Sequence, residues 1–180
     1  MSQIPVLLKT IRDQGVKYVQ MGEEHSVALT GDGGVFTWGH GGHGQLGHGT
    51  IASQNTPRKV FELMGNCTIS LACGRKHTLV LTSNRAIFGF GLNSNNQLGP
   101  SIENSIRLPH AIKFDDKPDD LSGYIPKSIS AGGDQSFAGY DIFHITDSDQ
   151  CHELSLPLLK PIKSCKSWIG RFKPSPLFQF

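Results

Sequence analysis

Residues 22–57 read GEEHSVALTGDGGVFTWGHGGHGQLGHGTIASQNTP, and 52 positions later, without a gap, residues 74–109 read GRKHTLVLTSNRAIFGFGLNSNNQLGPSIENSIRLP. Eleven of the 36 aligned positions are identical, and others keep their character: Ser26 with Thr78, Val35 with Ile87, Trp38 with Phe90. A period of about 50 residues made of short strand-like runs points to a propeller or a similar array. It argues against an enzyme core.

Each copy divides into four β-rich runs separated by Gly, Asp and Asn turns. In the first copy they are residues 16–22, 25–30, 34–39 and 57–63, and in the second 67–74, 77–83, 86–91 and 109–114. Four such runs make a four-stranded antiparallel sheet, the blade of a propeller. Thr30-Gly31-Asp32-Gly33-Gly34 supplies residues that tolerate positive φ, as a tight hairpin requires. Ser83-Asn84-Arg85 is expected to do the same with its asparagine. No stretch carries a 3.6-residue apolar period.

The repeat extends outward in both directions. Residues 125–143 begin a third copy at a spacing of 58, aligning Gly132 with Gly74, Gln135 with His77 and Ser136 with Thr78. The six extra positions fall in the acidic stretch 115–124, which reads as a surface loop. Pro5 stands 52 residues before Pro57, so residues 4–8 are in phase with the last strand of a preceding repeat. The fold expected is all-β: a partial propeller of about three four-stranded blades, two of them complete, over residues 1–143. Residues 144–180 form a non-repeat tail with Lys160, Lys163, Lys166, Arg171 and Lys173, broken by prolines. Disorder is expected there, against the sharper reading of a basic, Trp168-containing binding peptide.

Composition narrows the functional classes. With 17 basic and 15 acidic residues the net charge is +2, which gives no electrostatic ground for a nucleic-acid partner. No run approaches the roughly 18 apolar residues of a membrane span, and the first residues lack a secretory core. The sequence reads as soluble and cytoplasmic. Cys67, Cys73, Cys151 and Cys165 suit unpaired thiols in a reducing compartment better than a disulfide framework.

Several residues invite a chemical role. His25 and His77 recur at the head of a strand, so holding the blade together explains them better than general-base catalysis. His40, His43 and His48 are metal-ligand types in a Gly-rich loop, but Leu92, Asn95 and Pro100 stand in their places in the second copy. Cys73 matches Met21, which suits a buried apolar position better than a metal set with Cys67 and His77. Residues 39–49, GHGGHGQLGHG, lack the Gly-Lys-Ser/Thr of a phosphate loop. Leu46 and Leu98 are expected to pin this connector to the body. No catalytic, metal or cofactor-binding residue is assigned, and no cofactor is expected.

Gly22, His25, Ser26, Trp38, Gly39, Gln45, Leu46 and Gly47, repeated as Gly74, His77, Thr78, Phe90, Gly91, Gln97, Leu98 and Gly99, resemble the repeat of the regulator of chromosome condensation family. The wording GVKYVQMGEEHSVALT, ACGRKHTLVL and AGGDQSF looks most like the last repeats of the small HERC proteins. In those a seven-bladed propeller precedes a HECT ubiquitin ligase domain. The resemblance implies a protein-binding module that docks substrates or regulators, with no ligase chemistry in these residues. Cys165 lacks the several hundred residues that a HECT thioester cysteine needs around it. An alternative drawn from the same family is guanine-nucleotide exchange on a Ran-like small GTPase, for which the acidic stretch 115–124 is the sole inserted loop. A third expectation is a truncated product without independent function, marginally stable because its blade edges are uncovered.

Overall fold

The computed structural model describes residues 7–100, 103–112, 124–142 and 158–161. Two four-stranded antiparallel sheets dominate it. The first blade runs in order through β1 (Val16–Met21), β2 (His25–Thr30), β3 (Val35–Gly39) and β4 (Gln54–Lys59). The second repeats the order with β5 (Thr68–Cys73), β6 (His77–Thr82), β7 (Ile87–Leu92) and β8 (Ser105–Ala111). Registers match as well: His25 pairs with Gly39 and Ala28 with Phe36, as His77 pairs with Gly91 and Val80 with Phe88.

A third sheet contains β9 (Tyr124–Gly132), β10 (Gln135–Ile142) and β11 (Leu158–Pro161), with β10 in the middle. Strand β11 occupies the position that β3 and β7 hold in their blades, so four residues from the stretch read as tail complete a third strand. The rest of 144–180, with Cys151 and Cys165, lies outside the described residues, as does the insertion over 115–123.

The outer strands start earlier than the sequence suggested. β4 begins at Gln54 and β8 at Ser105, which places Pro57 and Pro109 inside strands. Both strands pair on one side only, and an edge strand tolerates a residue without an N–H. Phe61–Leu63, read as strand, forms a 3-10 turn instead.

The hairpins share one design. Thr30 donates to Asp32 Oδ1, which also accepts from the Gly34 N–H, and Thr82 and Ala86 use Asn84 Oδ1 in the same way. The Thr30 hydroxyl, foremost, holds the Asp32 carboxyl below its ordinary pKa. The left-handed residue is Gly33 in one hairpin and Arg85, φ 66°, in the other. Asn84 therefore serves through its side chain, and the positive φ expected of it falls on its neighbour.

The core lies between sheets. One cluster joins Val27, Leu29, Val35, Val60 and Leu63 to Leu71, Cys73, Val80 and Phe90 across the first and second blades. Another joins Leu79, Leu81, Ile87 and Leu98 to Ala138, with Ile129, Ala131 and Tyr140 packed against it. A face of each blade is thus buried only by its neighbour, the usual condition of a repeat array.

Candidate functional site

The recurrent polar residues converge on the seams between blades. His25, buried in the first blade, places Nε2 3.0 Å from Thr78 Oγ1 in the second. Thr78 Oγ1 donates onward to the Gln45 carbonyl at 3.0 Å, which makes His25 Nε2 the donor to Thr78 and fixes a neutral tautomer. One blade further, His77 Nε2 lies 2.9 Å from Ser136 Oγ. The histidine of each blade therefore reaches the Ser or Thr that follows the equivalent position in the next.

Burial, first of all, pushes both imidazoles down to about 4; the charge of His77 adds to the effect on His25, while Asp134 opposes it on His77. At neutral pH both rings are uncharged links. A general base needs a pKa near the working pH, and burial holds these rings well below it. The expected structural role is the one the geometry supports.

Main-chain bonds reinforce each seam. The Glu23 N–H donates to the Arg75 carbonyl at 3.1 Å, and the Arg75 N–H donates to the Gly133 carbonyl at 2.7 Å. The Gly-x-x-His turns of the first two blades and the Gly132–Gln135 turn of the third are thereby joined in series. Their side chains, Glu23 and Glu24, Arg75 and Lys76, then Asp134, carry alternating charge along one rim. Arg75 and Asp134 approach to 3.8 Å, and Glu24 lies 3.5 Å from His40.

The glycines beside these turns are dictated by space. A Cβ on Gly39, φ 104°, would sit 2.4 Å from the Glu24 carbonyl oxygen, and one on Gly91, φ 113°, 2.5 Å from that of Lys76. The close approach lets the His40 and Leu92 N–H groups donate to those same carbonyls. The glycine of the aromatic-Gly pair thus makes a close backbone contact.

The Gly-rich connector is explained in the same way. Gln45 Oε1 accepts the His43 N–H at 2.8 Å, and Gln97 Oε1 accepts that of Asn95 at 2.9 Å. Leu46 and Leu98 are buried, as expected of residues that pin the loop. Gly47 lies against the Phe90 ring of the next blade, where a Cβ would come within 2.9 Å.

The three loop histidines part company. His48 Nε2 is 2.9 Å from Thr37 Oγ1, and burial lowers its pKa. His40 Nδ1 accepts from the Gln45 amide at 3.3 Å, and its ring lies 6.3 Å from that of His43. Among the described residues no three metal-ligating side chains converge. Cys67 is exposed, whereas Cys73 is buried and its thiol is pushed up to about 12 by that burial. An open groove of about 830 Å³ runs along β8, with Glu103, Arg107, Leu108 and His110 among its lining residues.

Comparison with known proteins agrees with this geometry. A family model described as the regulator of chromosome condensation (RCC1) repeat matches residues 32–81, and a second model of the same description matches 16–45 and 69–97. The human probable E3 ubiquitin-protein ligase HERC4 is 43% identical over 147 residues, which are 76% of this chain and 14% of that protein. The human probable E3 ubiquitin-protein ligase HERC3 is 39% identical over 143 residues, 74% of this chain and 14% of its own length. The chain thus spans about one seventh of these relatives. Among solved structures, human WBSCR16 superposes with a TM-score of 0.64 at 22% identity, over 82% of this chain and 38% of that one. Prp20p from Saccharomyces cerevisiae gives 0.62 at 21%, over 74% and 33%. These two likenesses show the fold.

Proposed function

The chain belongs to the regulator of chromosome condensation repeat family, and from that premise we propose that it works as a protein-interaction module of the HERC type. Its role would be to dock substrates or regulators for ubiquitin transfer carried out by a HECT domain. What supports the reading is the use made of the recurrent polar side chains. His25, His77, Thr78, Ser136, Gln45 and Gln97 are spent on neighbouring blades and backbone, while the charged rim of Glu23, Glu24, Arg75 and Lys76 stays at the surface. A scaffold with this division of labour is suited to presenting a surface to a partner. No helix among the described residues is long and apolar enough to cross a membrane, and a cytoplasmic location is part of the proposal.

The test is capture by the full chain of proteins from cytoplasm, compared with a rim variant, Glu24→Lys with Arg75→Glu. Both side chains are exposed, so the variant keeps the fold, which circular dichroism verifies. Specific partners lost by the variant support the proposal. Identical capture by both proteins would refute the rim as the docking surface. Nucleotide exchange on a Ran-like GTPase, the other family activity, is excluded in the same preparation when labelled GDP is released no faster with the chain than without it.

A further inference from the structure

The first two blades build the same corner of the rim on the same backbone and fill it with different side chains. In the first blade the Gln45 amide is anchored at both ends: Oε1 accepts the His43 N–H at 2.8 Å, and Nε2 donates to His40 Nδ1 at 3.3 Å. That imidazole nitrogen also lies 3.5 Å from Glu24 Oε2. In the second blade Gln97, Leu92 and Lys76 stand at these three positions. The main chain is unchanged, since the Leu92 N–H donates to the Lys76 carbonyl at 2.8 Å, as the His40 N–H does to that of Glu24. Gln97 Oε1 accepts the Asn95 N–H at 2.9 Å, which sets this amide the same way round as that of Gln45.

What differs is the acceptor. Gln97 is 3% exposed, and its Nε2 makes no hydrogen bond among the described residues, because Leu92 offers no acceptor where His40 offers Nδ1. A buried N–H left unpaired bears the cost of its lost hydration, so such a group calls for a partner. The charge at the neighbouring position is reversed as well. The Lys76 ammonium replaces the Glu24 carboxylate, Arg75 precedes it in the same turn, and Lys76 forms no ion pair among the described residues. Two acids oppose these cations: Asp134 lies 3.8 Å from Arg75, and the Glu23 N–H meets the Arg75 carbonyl. Where the first blade supplies acceptor and acid, the second therefore supplies only donors and cations.

We propose that this corner of the second blade is a docking site for an acidic side chain of a protein partner, whose oxygens accept from Gln97 Nε2 and are held by Lys76 and Arg75. Leu92 turns aside to admit it; the residue is half-buried at the end of β7 and lies outside the apolar clusters of the core. A carboxylate and a phosphorylated side chain both present oxygens of this kind to a lysine and an amide. The site rests on the interaction-module reading above and adds the chemistry of the group that is gripped.

The experiment is solution NMR on the full 180-residue chain, following the Gln97 side-chain amide at constant ionic strength. Three blocked peptides are titrated separately: acetyl-Gly-Glu-Gly-amide, acetyl-Gly-phosphoserine-Gly-amide and, as the neutral control, acetyl-Gly-Gln-Gly-amide. The Gln97 amide should move saturably with one or both anionic peptides and stay still with the control, and the tighter of the two anions identifies the source of the oxygens. Lys76→Gln should weaken the binding about tenfold. Leu92→His rebuilds the internal acceptor of the first blade and should also weaken it about tenfold without touching a cation; circular dichroism checks both folds. A Gln97 amide that saturates with neither anion overturns the proposal. So does a Leu92→His chain that binds as tightly as the natural one, because that result would place the anion elsewhere on the rim. Capture of cytoplasmic partners without saturation at Gln97 overturns this site alone, whereas saturation without capture supports the site and removes the HERC-type reading.

Discussion

Acid should loosen the seams, and the size of the effect follows from His25 and His77. Both are buried and neutral, with pKa values pushed down to about 4 from an ordinary 6.5. The folded state thus binds fewer protons than the unfolded chain between those values. Stability is intact above pH 6.5, falls as the pH drops toward 4, and loses nothing further from these groups below that. At pH 5 the linkage relation gives a loss of about 2 kcal/mol for each ring, or about 4 kcal/mol for the pair. With a urea slope of about 2 kcal/mol/M the midpoint should move down by about 2 M between pH 7.5 and pH 5. Gln135, which stands at the histidine position of the third blade, supplies the control. The His25→Gln, His77→Gln variant keeps an amide donor without the titration, so most of its midpoint should survive at pH 5. Equal acid shifts in both proteins would refute the assignment of the pH dependence to the seams.

Other substitutions probe the same architecture. Thr78→Val removes both the acceptor for His25 and the donor to Gln45, and should cost about 1–3 kcal/mol in urea unfolding; Thr78→Ser should restore most of it. Gly91→Ala forces a Cβ to 2.5 Å from the Lys76 carbonyl at φ 113°, so expression as a folded protein should fail by circular dichroism, whereas Gly65→Ala, with open space around it, should lose only about 1 kcal/mol to its positive φ. Phe90→Ala empties a fully buried site and should cost about 3–5 kcal/mol. In a thiol-labelling time course followed by peptide mass mapping, exposed Cys67 should react at once, and Cys73 only when urea opens the seam.

The repeat made most of this fold legible. The strands of residues 25–39 and 77–91 pair in matching register because apolar alternation, turn residues and the Gly-x-x-His motif all agree on them. The alignment of Ser136 with Thr78 reappears as two equivalent bonds to histidines in the preceding blade. That those bonds cross between blades was less visible, since a repeat spacing gives equivalence and says nothing of which copies touch. The missed signal was the hydroxyl following each histidine position, Ser26, Thr78 and Ser136, which had no partner within its own repeat. The onset of β4 and β8 was misread because Pro57 and Pro109 look like strand starts, and a sequence does not show that an edge strand has an N–H to spare. β11 could not be anticipated: residues 158–161 carry no trace of the aromatic-Gly pair, and what places them beside β10 is main-chain pairing.

The series of N–H to carbonyl bonds linking Glu23, Arg75 and Gly133 has a consequence for how such a surface changes over time. Because the peptide groups make the joint, the side chains at Glu23 and Arg75 are released from any duty to it, and an acid and a base already occupy those positions, while Gly133 holds a left-handed φ of 56° that favours glycine. New specificities are therefore available at the first two turns of this strip at little mechanical penalty, with the skeleton beneath left as it is.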